Sequence, residues 1–275
     1  MYGYVPQGAR VLDVGCSTGN FGEALEALKH CVVVGIDVSE ADVLEARTKI
    51  TEAYVLDITG DGVADKLGTF DVVVFADVLE HLVDPRAALR AVHSLLNPSG
   101  IVVYSIPHMG HLSVRMDLLE GRFPYTELGL LDRTHLHYYD RVEVHDIFAA
   151  AGFGIVDENP ILADYPARWT TERLSAIGLV PTEPFFDMLR QTEAHIYQFV
   201  GTAVPQSEAP ASPSRASKET TPPEEVLAYA NRIVAKNEAL QNELDVLHSR
   251  IAAVRRNPLL GVVRELRRRM LRRRS

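Results

Sequence analysis

Residues 10–22 read RVLDVGCSTGNFG, and the way this stretch breaks decides the fold. RVLDVG (10–15) has strand character, while Gly19 to His30 carries helical spacing. A strand that turns through glycines straight into a helix opens a βαβ unit. The alternation then repeats. CVVVGID (31–37) reads as a strand, Glu40 to Ile50 as a helix and AYVLD (53–57) as a strand. FDVVVFAD (70–77) is a fourth strand, Pro85 to Leu96 a helix with proline near its first turn, and GIVVYSIP (100–107) a fifth strand opened by an Asn97-Pro98-Ser99-Gly100 turn. These are continuous Val/Ile runs, so helices must cover both faces.

Past Pro107 the pattern loosens. Residues 108–140, rich in His, aromatics and charge, read as an insertion over the strand ends. VEVHDIFAAAGF (142–153) is a helix, GIVDENP (154–160) a returning strand, 161–194 irregular, and HIYQFVGTAV (195–204) a last, antiparallel strand. The expectation is therefore an α/β fold with a doubly wound, mostly parallel, seven-stranded sheet over residues 1–204. Residues 205–223 are Pro/Ser/Ala-rich, as a flexible linker is. In 224–256 apolar residues at Ala230, Ile233, Leu240, Leu244, Leu247 and Ile251 follow a heptad with Asn237 at one core position, which predicts a parallel coiled-coil homodimer.

Charge divides the chain. Of 275 residues with net charge −9, residues 255–275 hold nine Arg and one acid, leaving the rest at −17. An acidic body is poorly suited to broad nucleic-acid binding. The tail, 257–275, sets Leu and Val on one helical face and Arg opposite, and reads as a membrane-surface element. No apolar run approaches the ~18 residues of a membrane span. The first residues lack a basic, then apolar, signal pattern, and two cysteines cannot build a disulfide framework. The expected location is cytoplasmic, peripheral to the membrane through the tail.

Parallel sheets bind ligands beyond their carboxyl ends, where strand order switches. The first-strand turn fails the G-x-G-x-x-G dinucleotide pattern, because Ser17 and Asn20 stand where glycines belong. Asp-x-Gly-x-x-x-Gly demands no phosphate and suits a neutral or cationic adenosine ligand. Asp37 ends the second strand, 22 residues after Gly15, where a carboxylate accepts from both ribose hydroxyls. Asp57 ends the third strand, placed for an adenine amino group, and Asp77 the fourth. One acid after a strand is most often a helix cap; Asp13, Asp37, Asp57 and Asp77 around one crevice point to a shared ligand.

VLDVGCSTGNFG, GIDVS, FDVVVFADVLEHL and NPSGIVVYSIP resemble, in order and spacing, the motifs of class I S-adenosylmethionine-dependent methyltransferases of the small-molecule and glycan-tailoring type. The resemblance is strong over 9–107 and implies a Rossmann-like fold with S-adenosylmethionine as cofactor. It implies that Asp13, Gly15, Cys16 and Gly19 line the methionine side, Asp37 and Val38 the ribose, Asp57 and Ile58 the adenine, and Asp77 and Val78 the sulfonium. Such enzymes often carry roofing helices ahead of the first strand. Only nine residues precede it here, so either the start is shortened or 108–140 and 161–194 form the roof.

A hydroxyl acceptor needs a base, and histidine titrates in the right range. The candidates are His81 after the fourth strand, and His135 and His137 in DRTHLHYY (132–139), a segment resembling one in small-molecule and glycan-tailoring members. The preference falls on His135 or His137. Asp77-x-x-Glu80-His81 also resembles the Glu-x-x-Glu-His metal cluster of small-RNA 3′-end 2′-O-methyltransferases, with Asp in place of the first Glu. The same string is common in metal-free relatives, so no metal is expected. The expected function is O-methylation of a sugar, glycan or other small-molecule hydroxyl. The alternatives are a metal-dependent RNA 2′-O-methyltransferase and a non-catalytic dimeric scaffold.

Overall fold

The apolar runs become the middle of one sheet. In the computed structural model, which describes residues 1–60 and 62–206, β1 (Arg10–Val14), β2 (Val32–Asp37), β3 (Glu52–Val55), β4 (Phe70–Ala76) and β5 (Leu96–Pro107) run parallel. β6 (Phe153–Glu158), β7 (Ile161–Leu162) and β8 (Ile196–Pro205) complete it, with β8 antiparallel to β5. The order is β3-β2-β1-β4-β5-β8-β6, with β7 pairing to β8 off this path. The seven expected strands form the path. Ile161 and Leu162 add an eighth that two exposed residues could not announce as a pattern.

The α-helices among the described residues are α1 (Asn20–Lys29), α2 (Glu40–Ala46), α3 (Val63–Leu67), α4 (Pro85–Val92), α5 (Leu112–Leu119), α6 (Arg141–Ala150), α7 (Ala167–Ala176) and α8 (Glu183–Gln191). The pleat splits each strand's side chains between two cores. Along β4, Val73 and Phe75 join one with Leu12, Tyr104 and Phe148, while Val72 and Val74 join the other with Val11 and Val33. Each fully buried side chain of this size contributes about 1.5–3 kcal/mol. Helix starts are set by caps: the Ser39, Asp84 and Asp140 side chains accept from Asp42, Ala87 and Glu143 amides.

Two expectations need correcting. Asn97-Pro98-Ser99-Gly100 is not a turn before β5 but an irregularity inside it, because Ser99 takes a left-handed φ of 64° and the register to β4 shifts between Phe70 and Val72. Residues 161–194 are not irregular. They contain α7 and α8, which pack Leu174, Leu189 and Ala194 against Leu112 and Met116 of α5. Pro184 sits in the first turn of α8, where its missing N–H costs nothing. β8 ends at Pro205, one residue past the expected boundary. The expected linker beyond residue 206, the coiled coil (224–256) and the basic tail (257–275) lie outside the described residues.

Candidate active site

Strand order reverses direction between β1 and β4, which lie side by side with Val14 opposite Phe75. Their carboxyl ends open a cleft of about 290 Å³ lined by Val14, Gly15, Asp37, Asp57, Asp77, Val78 and His81 among others. Gly15 is required there for two reasons. Its φ is 70°, and a Cβ would fall 2.6 Å from a methyl carbon of Val78.

Each strand-end acid is fixed by its own turn. Asp37 accepts from the Ser17 and Ser39 amides, one on each oxygen, both at 2.9 Å. Each oxygen keeps a further lone pair. Asp57 accepts from the amide and hydroxyl of Thr59, both on Oδ1. Asp77 stands in the left-handed region at φ 54°, its Oδ1 accepting from the Ser105 hydroxyl and from Gln198. No sequence signal could have found Gln198, which reaches Asp77 across 121 positions because β8 lies beside β5.

Ile58 and Val38 also line the cleft, whereas Asp13, Cys16 and Gly19 do not. Asp13 is buried in β1, and burial together with the neighbouring Asp37 pushes its carboxyl up to about 7. The Cys16 side chain turns inward against Gly35, and burial raises its thiol to about 12. Gly19 caps α1 in a left-handed conformation.

The three histidines separate. His81 lines the cleft, and its ring meets that of His135 edge to face, with centroids 4.7 Å apart. His137 instead lies along Val83 in a different cavity with Arg86, Tyr139 and Glu143. The insertion is brought to the end of β4 by main-chain bonds: the amides of Leu136 and His137 both donate to the Glu80 carbonyl. The Thr134 hydroxyl donates to Asp132 at 2.6 Å, leaving its lone pair to accept from His81 Nδ1 at 3.1 Å. That chain places the proton on Nδ1 and frees Nε2 as the basic nitrogen. Burial lowers the pKa of His135, so its imidazole is neutral at pH 7.

Glu80 is the site's anomaly. It is wholly inaccessible to solvent, and among the described residues neither carboxyl oxygen has a hydrogen-bond partner. Burial raises its pKa to about 8. A buried polar group left unpaired costs about 1–3 kcal/mol, more if charged. His135 Nε2 is nearest on the histidine side, 4.0 Å from Glu80 Oε1.

Residues 2–158 match a family model described as a methyltransferase domain. Among curated proteins, the chain is similar to the ubiquinone biosynthesis O-methyltransferase of Vibrio campbellii, with 39% identity over 105 residues, 36% of this chain and 43% of that protein. The Pseudomonas paraeruginosa protein of the same name is 41% identical over 103 residues, 36% of this chain and 44% of the relative. The match thus spans less than half the length of these relatives. Among solved structures, the fold is similar to a chain in the complex between the Haloferax volcanii Trm112 methyltransferase activator and a methyltransferase. The TM-score is 0.50 at 18% identity, covering 74% of this chain and 84% of that one.

Proposed function

We propose a reaction from one premise: this chain belongs to the class I S-adenosylmethionine-dependent methyltransferases. The reaction is transfer of the methyl group to a hydroxyl oxygen of a small molecule, with a sugar or glycan hydroxyl as the acceptor class. The observation that carries it is His81, tautomer-fixed by Thr134 and Asp132, in the same cleft as the ribose-binding acid Asp37. Relatives named as O-methyltransferases support oxygen as the acceptor atom.

The cleft fits the donor. It has bare backbone at Gly15, a carboxylate pair of lone pairs at Asp37, an acceptor at Asp57 and apolar walls from Val38, Ile58 and Val78. When bound, the donor supplies a methyl carbon made electrophilic by a positive sulfur. The chain's residues then have two tasks, to hold donor and acceptor in line and to take the hydroxyl proton. Asp77, rigid between Ser105 and Gln198, presents negative charge to the developing site, and His81 Nε2 is the free basic nitrogen. The heptad and the arginine tail support homodimerisation and membrane-surface contact as further parts of the proposal.

Asp13 predicts a pH dependence. With a free-state pKa near 7, it is largely protonated at pH 6, and a cationic ligand in the adjoining cleft favours its ionised form. Donor binding therefore releases a proton at pH 6, and affinity rises roughly tenfold from pH 6 to 8 before levelling. Calorimetry in two buffers of different ionisation heat measures that proton, and Asp13→Asn should abolish its release.

The proposed reaction is tested with methyl-labelled donor added to a lysate fractionated into glycan, lipid, small-molecule, RNA and protein pools. Label entering a glycan or small-molecule pool as a methyl ether supports the proposal. Label confined to RNA favours the 2′-O-methyl alternative, and label confined to protein overturns both.

A further inference from the structure

A second cavity, of about 410 Å³, lies between α5, α7, α8 and the chain entering β8, and it shares no lining residue with the donor cleft. Its size is that of a small-molecule site. Hydrogen bonds set its walls. The Leu112 amide donates to the Ala194 carbonyl at 2.7 Å and the Ala163 amide to the His195 carbonyl at 2.9 Å, while the buried His111 ring donates from Nε2 to the Ala163 carbonyl. Leu112, Leu189 and Ala194 give it a buried apolar lining. Tyr165 lines it too, its ring stacked on Trp169 at 4.0 Å, and Trp169 is braced in turn by the Arg173 guanidinium.

Three polar groups in this lining are unengaged. Among the described residues no hydrogen bond or ion pair holds the side chains of Asp164 and His195 or the hydroxyl of Thr170, a residue only 1% exposed. A hydroxyl buried that deeply is costly unless a ligand completes it. The charge balance narrows the ligand class. Arg190 is held by Glu183 and Asp187 of its own helix, so an anion finds no free guanidinium here and meets the Asp164 carboxylate. A wholly apolar ligand leaves all three groups unpaired. Sugar hydroxyls both donate and accept, which suits a carboxylate, an imidazole and a hydroxyl together, and the C–H face of a sugar ring suits the apolar lining. The cavity is also tied to the reacting centre. His195 precedes Gln198, which donates to Asp77 in the donor cleft, by three residues, about 10 Å of extended chain. Two linked sugar rings bridge such a gap, and one does not. We propose that this cavity binds a neutral sugar ring beyond the ring whose hydroxyl is methylated, so that the acceptor is an oligosaccharide. This assignment rests on the hydroxyl-transfer reading above and deepens it.

Trp169 is the chain's only tryptophan, so its emission reports on Tyr165 and the cavity. The full chain is titrated with maltotriose, cellotriose, mannotriose and chitotriose, and with glucose, trigalacturonate and decanoate for comparison. At least one neutral trisaccharide should shift the emission saturably, at least tenfold more tightly than glucose. Asp164→Ala and Thr170→Val should each weaken that trisaccharide at least fivefold, while His137→Ala binds as wild type. Asp164 is exposed, so its variant reads the site even if Thr170→Val folds poorly, and calorimetry with the donor product checks that each variant is intact. No response to any of the four trisaccharides, equal binding by all variants, or a response to trigalacturonate or decanoate alone overturns the proposal. Two further outcomes separate it from the proposed reaction. Methyl ethers formed on glycan with an unaltered KM in Asp164→Ala sink the cavity alone, and trisaccharide binding without any methylated hydroxyl sinks the reaction alone.

Discussion

Replacing His81 or His135 by alanine is expected to lower turnover by about 10²–10⁴-fold while leaving donor affinity unchanged. For His81 the magnitude is that of losing a positioned proton acceptor, and His135 acts through the edge-to-face contact that holds the His81 ring. The selectivity follows from the proposed roles: Gly15, Asp37, Asp57 and the apolar walls Val38, Ile58 and Val78 are assigned to the donor, whereas the two rings, edge to face beyond β4, are assigned to the acceptor side. Thr134→Ala should act in the same direction with a smaller loss, because it removes one of two acceptors of the His81 Nδ1 proton while the Thr134 carbonyl, 3.3 Å away, still holds that tautomer. His137→Ala should cost little, since that ring lies against Val83 in another cavity. Single-turnover rates alongside donor calorimetry make the check. A parallel fall in donor affinity would place the pair in donor binding instead, and unaltered rates would remove both from the chemistry.

The second large effect concerns Asp37→Ala, for which donor binding should weaken by about 1–3 kcal/mol, roughly 5- to 150-fold. Two losses combine. The ribose hydroxyls lose their acceptor, and the glycine-rich turn loses the carboxylate that receives the Ser17 amide at a residue held at φ 45°. A non-glycine residue in that region is strained and needs such a tie. Asp37→Asn retains one carbonyl acceptor and should sit between wild type and alanine. Isothermal calorimetry with the donor product as ligand decides it, and unchanged affinity would refute the ribose assignment.

Much of this architecture is legible in the amino-acid order. The Val/Ile runs of β1, β2, β4 and β5 admit only a doubly covered parallel sheet, and an acid at the end of each of β2, β3 and β4 marks the rim of its cleft. Other features are not legible there. α7 and α8 are hidden because their apolar faces are short and complete themselves only against α5. Which histidines meet is equally hidden, because His135 and His137 are two residues apart and sequence assigns them equal standing. Their divergence follows from how the backbone crosses the end of β4.

Sequence alone determined the sheet, the glycine turn and the acid that ends β2, because these arise from local preferences: periodicity, turn conformation and an acid at a strand end. Tertiary structure alone decided the chemistry of Glu80, His81 and His135, and the support that Gln198 lends Asp77. Burial of a carboxyl, the choice of histidine tautomer and contacts across more than fifty positions depend on which segments fold over which, and no local pattern records that.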